Sequence, residues 1–322
     1  MIHRILIALG GNALKKAEED GQTEEQLSNC DIVCKCIVEI VKLLGKNDRL
    51  VVTHGNGPQI GNLMVLQETA RGEIPCQRMD ILGAMTQGQI GYMLQQTLQN
   101  RLKDEGLSIP VCSIINQVLV DENDPEFLKD AASKPVGNFL TQDEAEQIRK
   151  VHPDYCIRKV KPIGDKVWRR CVPSPKPLKN IEGEIIRSMV DAGIIVIASG
   201  GGGIPVIDKG GRHYQGAEAV IDKDLAGELL AEIVGADTFI LLTDVENVKL
   251  NYGRSNERNL KALNIAKAKE YLKDGQFLSG SMEPKILACI RFLERGGKKA
   301  VITSLPNALS ALKGKKGTVI CK

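Results

Sequence analysis

Two kinds of residue in this chain could do chemistry on an anion: glycines that end apolar runs, and lysines at helix starts. Leu6-Ile7-Ala8-Leu9 runs into Gly10, Gly11 and Asn12. Leu50-Val51-Val52-Thr53-His54 runs into Gly55, Asn56 and Gly57. Ile194 to Ser199 runs into Gly200, Gly201, Gly202 and Gly203. Glycine lets backbone amides approach an anion closely, and a helix starting there adds the positive end of its dipole. A single loop of this kind reads best as an ordinary strand-to-helix turn. Three of them, each with a helical pattern expected behind it, favour converging phosphate or carboxylate sites.

The lysines give a second signal. Ile221-Asp222-Lys223-Asp224-Leu225-Ala226 sets Lys223 between two carboxylates at a helix start. Capping by Asp222, with the remaining charge solvated, explains that pattern equally well. Gly280-Ser281-Met282-Glu283-Pro284-Lys285 puts a lysine just inside another helix start, with proline in the first turn. A lysine there opposes the helix dipole, which makes sense if it faces a phosphate.

The elements that must carry these residues alternate. Strand-like runs lie near 4–9, 49–53, 109–115, 194–198, 238–243, 299–303 and 317–321. Helical patterns over 23–44, 59–71, 84–104, 178–192, 222–235 and 283–295 separate most of them. This alternation predicts an α/β fold with a mainly parallel sheet covered on both faces and ligands at the carboxyl ends of its strands. The stretch 121–177 breaks the rhythm. It is polar and proline-rich, holds a short helical pattern at Thr141–Val151, and then a basic run from Arg158 to Arg170. It is too long for a plain loop and reads as an inserted, projecting subdomain. Its basic run is either a solvated face or the lip of an anionic site.

Several classes are excluded. Over 322 residues the net charge is +3 with balanced signs, which leaves no nucleic-acid or membrane footprint. No apolar run approaches the roughly twenty residues that cross a bilayer. No Walker-type loop, dinucleotide fingerprint, protein-kinase signature, His-Glu-x-x-His or serine elbow occurs. The nine cysteines lack zinc-like pairing and suit a reducing compartment, so the cytoplasm is expected.

Taken together, Gly10-Gly11-Asn12-Ala13, His54 to Gln59, Ser133-Lys134-Pro135-Val136-Gly137, Trp168 to Pro175, Gly200 to Pro205, Asp222 to Ala226, Leu242-Thr243-Asp244-Val245 and Gly280 to Lys285 resemble the carbamate kinases, a branch of the amino acid kinase superfamily. The motifs occur in order along essentially the whole chain. The resemblance implies one three-layer αβα domain over 1–322, with 121–177 protruding from it as a lid, and a homodimer. It implies reversible phosphoryl transfer between carbamoyl phosphate and ADP, giving ATP and carbamate with magnesium, as the ATP-forming last step of arginine fermentation. It makes Lys134, Lys223 and Lys285 the phosphate-neutralising cations and Asp224 the carboxylate that orients lysines. Gly10, Gly11, Asn12, Gly55, Asn56, Gly57, Gly201 and Gly202 would hold the phosphoryl group and the carbamate. Thr243, Asp244, Val245, Met282 and Pro284, with Lys223 and Lys285, would form the nucleotide pocket. No magnesium ligand is assigned. Many relatives in the superfamily carry a lysine just before the first glycines, where this chain has Ala8-Leu9. Lys134 is expected to supply a missing cation, reaching the site only when the insert closes. His54 is read as a polar loop residue.

Overall fold

The structure is a computed structural model that describes residues 3–16, 18–128, 130–278 and 280–322; the side chain of Asn12 also lies outside the described part. From the N-terminus, β1 (Arg4–Leu9) leads through a 3-10 turn to α1 (Thr23–Leu43), β2 (Arg49–His54), α2 (Gly57–Thr69) and α3 (Met79–Asp104). Next come β3 (Val111–Ser113), β4 (Gln117–Val120), β5 (Lys134–Leu140), α4 (Gln142–Val151), β6 (Cys156–Lys159) and β7 (Trp168–Val172). The chain continues with β8 (Lys179–Asn180), α5 (Gly183–Asp191), β9 (Ile195–Ile197), β10 (Ile204–Asp208), β11 (Tyr214–Gly216), α6 (Lys223–Ile233) and β12 (Thr238–Thr243). The last part adds β13 (Val248–Leu250), β14 (Arg258–Leu260), β15 (Ala262–Asn264), α7 (Ile265–Lys273), α8 (Met282–Glu294), β16 (Lys299–Ser304), α9 (Ala308–Leu312) and β17 (Thr318–Cys321).

The main sheet has eight strands in the order β15-β17-β16-β12-β1-β2-β9-β3. From β16 to β3 every pairing is parallel, and only β17 meets β16 antiparallel. β1 shows why the sheet is central. Leu6 and Ala8 enter a core with α5, α6 and α8, while Ile5, Ile7 and Leu9 enter a second core with α1, α3 and α9. An uninterrupted apolar strand is what burial on both faces demands. The fold is therefore a three-layer αβα sandwich.

The insert emerges between β4 and β8, which pair antiparallel in a second sheet of order β11-β10-β4-β8. It carries its own sheet, β5-β7-β6, with α4 capped by a reciprocal Thr141–Glu144 box. Glu126 ties its base together by accepting hydrogen bonds from the backbone N–H groups of Ser133 (2.9 Å) and Ser174 (3.0 Å).

Two expectations are corrected by this architecture. Of the three glycine loops, only the second opens an α-helix directly, at Gly57. Gly11 enters a 3-10 turn and the next helix starts only at Thr23, and Gly203 passes straight into β10. The helical pattern expected from 178 starts only at Gly183, because Lys179 and Asn180 are taken by the pairing with β4. The sandwich makes a testable statement about β1. Leu6→Ala and Ile7→Ala should each cost about 2–5 kcal/mol in urea unfolding, since both side chains are fully buried on opposite faces. A cost below about 1 kcal/mol for either would mean that one face is not packed.

Candidate active site

β1, β2 and β9 are neighbours, so the loops at their carboxyl ends meet. They border a cavity of about 530 Å³ whose wall includes Gly11, Gly55, Asn56, Gly57 and Gly201. Close approach explains the glycines. A Cβ at Gly55 would sit 3.1 Å from the Lys223 stem and 3.2 Å from the amide nitrogen of Gly11. Gly201 has φ +63°, and a Cβ there would overlap the Asn56 amide. Gly10 and Gly202 do not line the cavity. Gly10 packs on the carbonyl of Leu242 and Gly202 on the backbone of Ile221.

The cations enter from three directions. Lys223 opens α6, Lys285 lies in the first turn of α8, and Lys134 opens β5 of the insert. All three line the cavity. Asp224 accepts hydrogen bonds from Lys223 Nζ (2.6 Å) and Lys285 Nζ (3.0 Å), with only 3% of its side chain exposed. Asp222 does two things at once. Its Oδ1 caps α6 by accepting from the backbone N–H of Asp224 (2.9 Å), and its Oδ2 accepts from Lys134 Nζ (2.7 Å). Lys134 thus joins the cluster from the insert, meeting Asp222 at the start of α6.

Electrostatics reflect burial and pairing. Burial pulls the Lys223 ammonium down, against the attraction of Asp224. Burial also opposes the charge on Lys285, but the Asp224 carboxylate outweighs it and the net shift is upward. Burial would raise Asp222, yet Lys134 and Lys223 hold it well below the usual carboxylate range. Three ammonium groups against two carboxylates leave a cationic surplus in a shielded cavity. An anion entering there meets charges that are worth more than they are in water.

A buried polar network that no sequence motif announces sets the third loop. Ser199 adopts a left-handed conformation (φ 53°, ψ 32°) just before the glycines. Its backbone N–H donates to Asn116 Oδ1 (2.6 Å), and its hydroxyl accepts from Asn180 Nδ2 (3.0 Å). Gln87 Nε2 donates to the carbonyl of Gly200 (3.1 Å), and Asn56 Nδ2 donates to Thr86 Oγ1 (2.9 Å). The one signal in the sequence is an asparagine within an apolar stretch, as at Asn116. His54 belongs to this buried layer and not to a loop: it ends β2. Burial pushes its imidazole down to about 4, so it is neutral at physiological pH.

Beside the cavity, across Ser281, lies a crevice of about 120 Å³ lined by Val245, Met282, Tyr252 and Phe277. Thr243 ends β12 next to Gly10, and the negative charge of Asp244, which follows it, contributes to raising Lys285. Pro284 lies within the first turn of α8. The cavity also takes two cations not assigned to it from the sequence, Lys15 and Arg169. Lys15 comes shortly after the first glycines, and its Nζ donates to the carbonyl of Glu19 (2.6 Å). Arg169, from the basic run, donates to the carbonyl of Gly137 (2.7 Å), and its buried Nε has no partner among the described residues.

Residues 3–304 match the amino acid kinase family. The chain is 47% identical over 321 residues to a carbamate kinase of Thermococcus kodakarensis, covering 99% of each. It is 42% identical over 323 residues to one of Clostridium perfringens, covering 99% of this chain and 100% of that protein. Its structure superposes with a TM-score of 0.90 on a carbamate kinase from Giardia lamblia bound to AMP-PNP, at 38% identity, covering 100% of this chain and 99% of that one. Identity at this level over whole chains exceeds what a shared fold produces, and the chain belongs to the amino acid kinase family, in its carbamate kinase branch.

Proposed function

We propose that this enzyme transfers a phosphoryl group reversibly between carbamoyl phosphate and ADP, giving ATP and carbamate, and that it serves as the ATP-forming last step of arginine breakdown. The observation that carries the reading is the pair of buried carboxylates holding Lys134, Lys223 and Lys285 at one cavity. Phosphoryl transfer needs mostly positioning and charge stabilisation. Carbamate is already an anion, so no base need activate it, and neutral, buried His54 is not required as one. The lysines and the amides of the glycine loops offset the repulsion between an anionic acceptor and a polyanionic donor. The crevice lined by Val245 and Met282 suits the apolar part of the nucleotide. Magnesium would enter chelated by the nucleotide. Asp222 and Asp224 are engaged by lysines, which fits an ion that takes its ligands mainly from phosphates and water.

The same reading makes the protein a cytoplasmic homodimer. All nine cysteines are free thiols, which suits a reducing compartment. Ile81, Met85 and Tyr92 lie exposed along α3, an apolar stripe suited to a second copy. We also read the insert as a lid, since it supplies Lys134 and Arg169 to the cavity wall.

A coupled assay for ATP from carbamoyl phosphate and ADP, with acetyl phosphate as the control donor, tests the activity; absence of ATP rejects it. Lys285→Ala should lower turnover by at least about 100-fold in a folded protein. Near-normal turnover would remove Lys285 from the reaction. Asp224→Asn should harm turnover more than ADP binding, measured by steady-state rates and calorimetry on one sample, because orienting charge matters most in the transition state. Equal losses would make Asp224 a uniform binding residue. Lys134→Ala should also cost at least about tenfold in turnover, and a variant within about threefold of wild type would show that the insert supplies no working cation.

A further inference from the structure

α6 and α8 both start at the cavity and run away from it side by side, burying Leu230, Ala231, Ile286, Ala288, Cys289 and Leu293 in one core. Asp224, Glu228 and Glu232 are spaced four apart on α6 and therefore share one face. Each pairs with a cation on or just beyond α8. Asp224 takes Lys285 at 3.0 Å. Glu228 takes Arg291 Nε at 2.9 Å and Arg295 Nη1 at 3.4 Å. Glu232 takes Arg295 at 2.6 Å. The outer pair is solvated, with both side chains about two-fifths exposed. Glu228 is different: its side chain is fully buried.

That burial is costly. Neither carboxylate oxygen of Glu228 accepts a well-aligned hydrogen bond, although Arg291 lies within ion-pair distance. The attraction is thus mainly Coulombic, and burial still pushes the carboxyl group up despite both arginines. An apolar pair of similar volume would commonly be as stable or more so. Cohesion alone therefore does not explain the charge. What an ion pair adds is register. On α8 the neighbouring core residues Ala288 and Cys289 are small, whereas Arg291 meets its partner at a single place along α6.

We propose that Glu228 is a positioning residue: by pairing with Arg291 it fixes α8 against α6 and so holds the Lys285 ammonium on Asp224 at the phosphoryl cavity. The proposal rests on the phosphoryl-transfer reading for its consequence and on the helix pair for its geometry. Without Glu228, Arg291 is left as a buried cation and draws α8 toward water, carrying Lys285 with it.

Two readouts separate the geometry from the activity. Acylation of Lys285 by an amine-reactive ester, with peptide mass spectrometry and exposed Lys267 as internal reference, reports its placement without any turnover. Glu228→Gln should raise the labelling rate of Lys285 several-fold, and Glu232→Gln should not. Unchanged labelling in Glu228→Gln overturns the proposal. In the ATP-forming assay Glu228→Gln should lower kcat about tenfold, but less than about twofold when introduced into Lys285→Ala, because the two changes act through one group. Equal losses in both backgrounds would mean a general structural role and would also overturn it. If Glu228→Gln does not fold, the double variant Glu228→Met, Arg291→Met decides. It should be stable yet label faster and turn over about tenfold more slowly, since apolar packing joins the helices without fixing their register. Wild-type labelling and turnover by that variant sink the proposal. A wild-type protein that makes no ATP sinks the functional reading instead, and the labelling experiment still judges the clamp.

Discussion

The arrangement depends on one buried carboxylate. Asp224 sits 3% exposed between the ammonium groups of Lys223 and Lys285, which belong to different helices. Two cations so close would repel, and each loses hydration in a cavity wall. A single carboxylate receiving both removes most of that cost, and Asp222 does the same for Lys134. The result is a cluster whose remaining positive charge is held in place before any anion arrives. Preorganisation of this kind is where most of the rate advantage of a charge-stabilising enzyme lies.

The fold makes that cluster possible by bringing distant parts of the chain to one edge of a sheet. Neighbouring parallel strands end at the same edge, so the loops after β1, β2 and β9 share a surface although they lie far apart in sequence. α6 and α8 start at that edge, so their first turns put lysine and aspartate side chains there. The left-handed Ser199 would cost free energy if its neighbours did not over-determine it. Asn116 and Asn180 satisfy its polar groups, which lets the adjoining glycines approach the Asn56 side chain. Strain at the loop is thereby met by hydrogen bonds one layer beneath the cavity.

The sequence by itself determined the layered α/β sandwich, because apolar strands alternating with amphipathic helices have few other ways to bury both faces of a sheet. It also marked Lys285, since a lysine in the first turn opposes the helix dipole, whereas capping explained the Lys223 pattern equally well and only the family resemblance singled out Asp224. It did not determine which element succeeds each glycine loop. The first loop enters a 3-10 turn before α1 starts at Thr23, and the third enters β10, where pairing with β4 outweighs local helical preference.

Tertiary structure alone decided which polar residues meet. Asn116, Asn180 and Ser199 are separated by long stretches of chain, and no spacing rule relates them. Lys15 carries no signal in the sequence, and the basic run holding Arg169 could be a solvated face or the lip of an anionic site, yet both line the cavity with the lysines of the site. Lys134 meets Asp222 because β5 points its first residue at the cap of α6, a contact across 88 residues that no local pattern encodes. The reason is common to all of them. Periodicity and turn chemistry act over a few residues, whereas the contacts of a buried charge are set by which elements the core brings side by side.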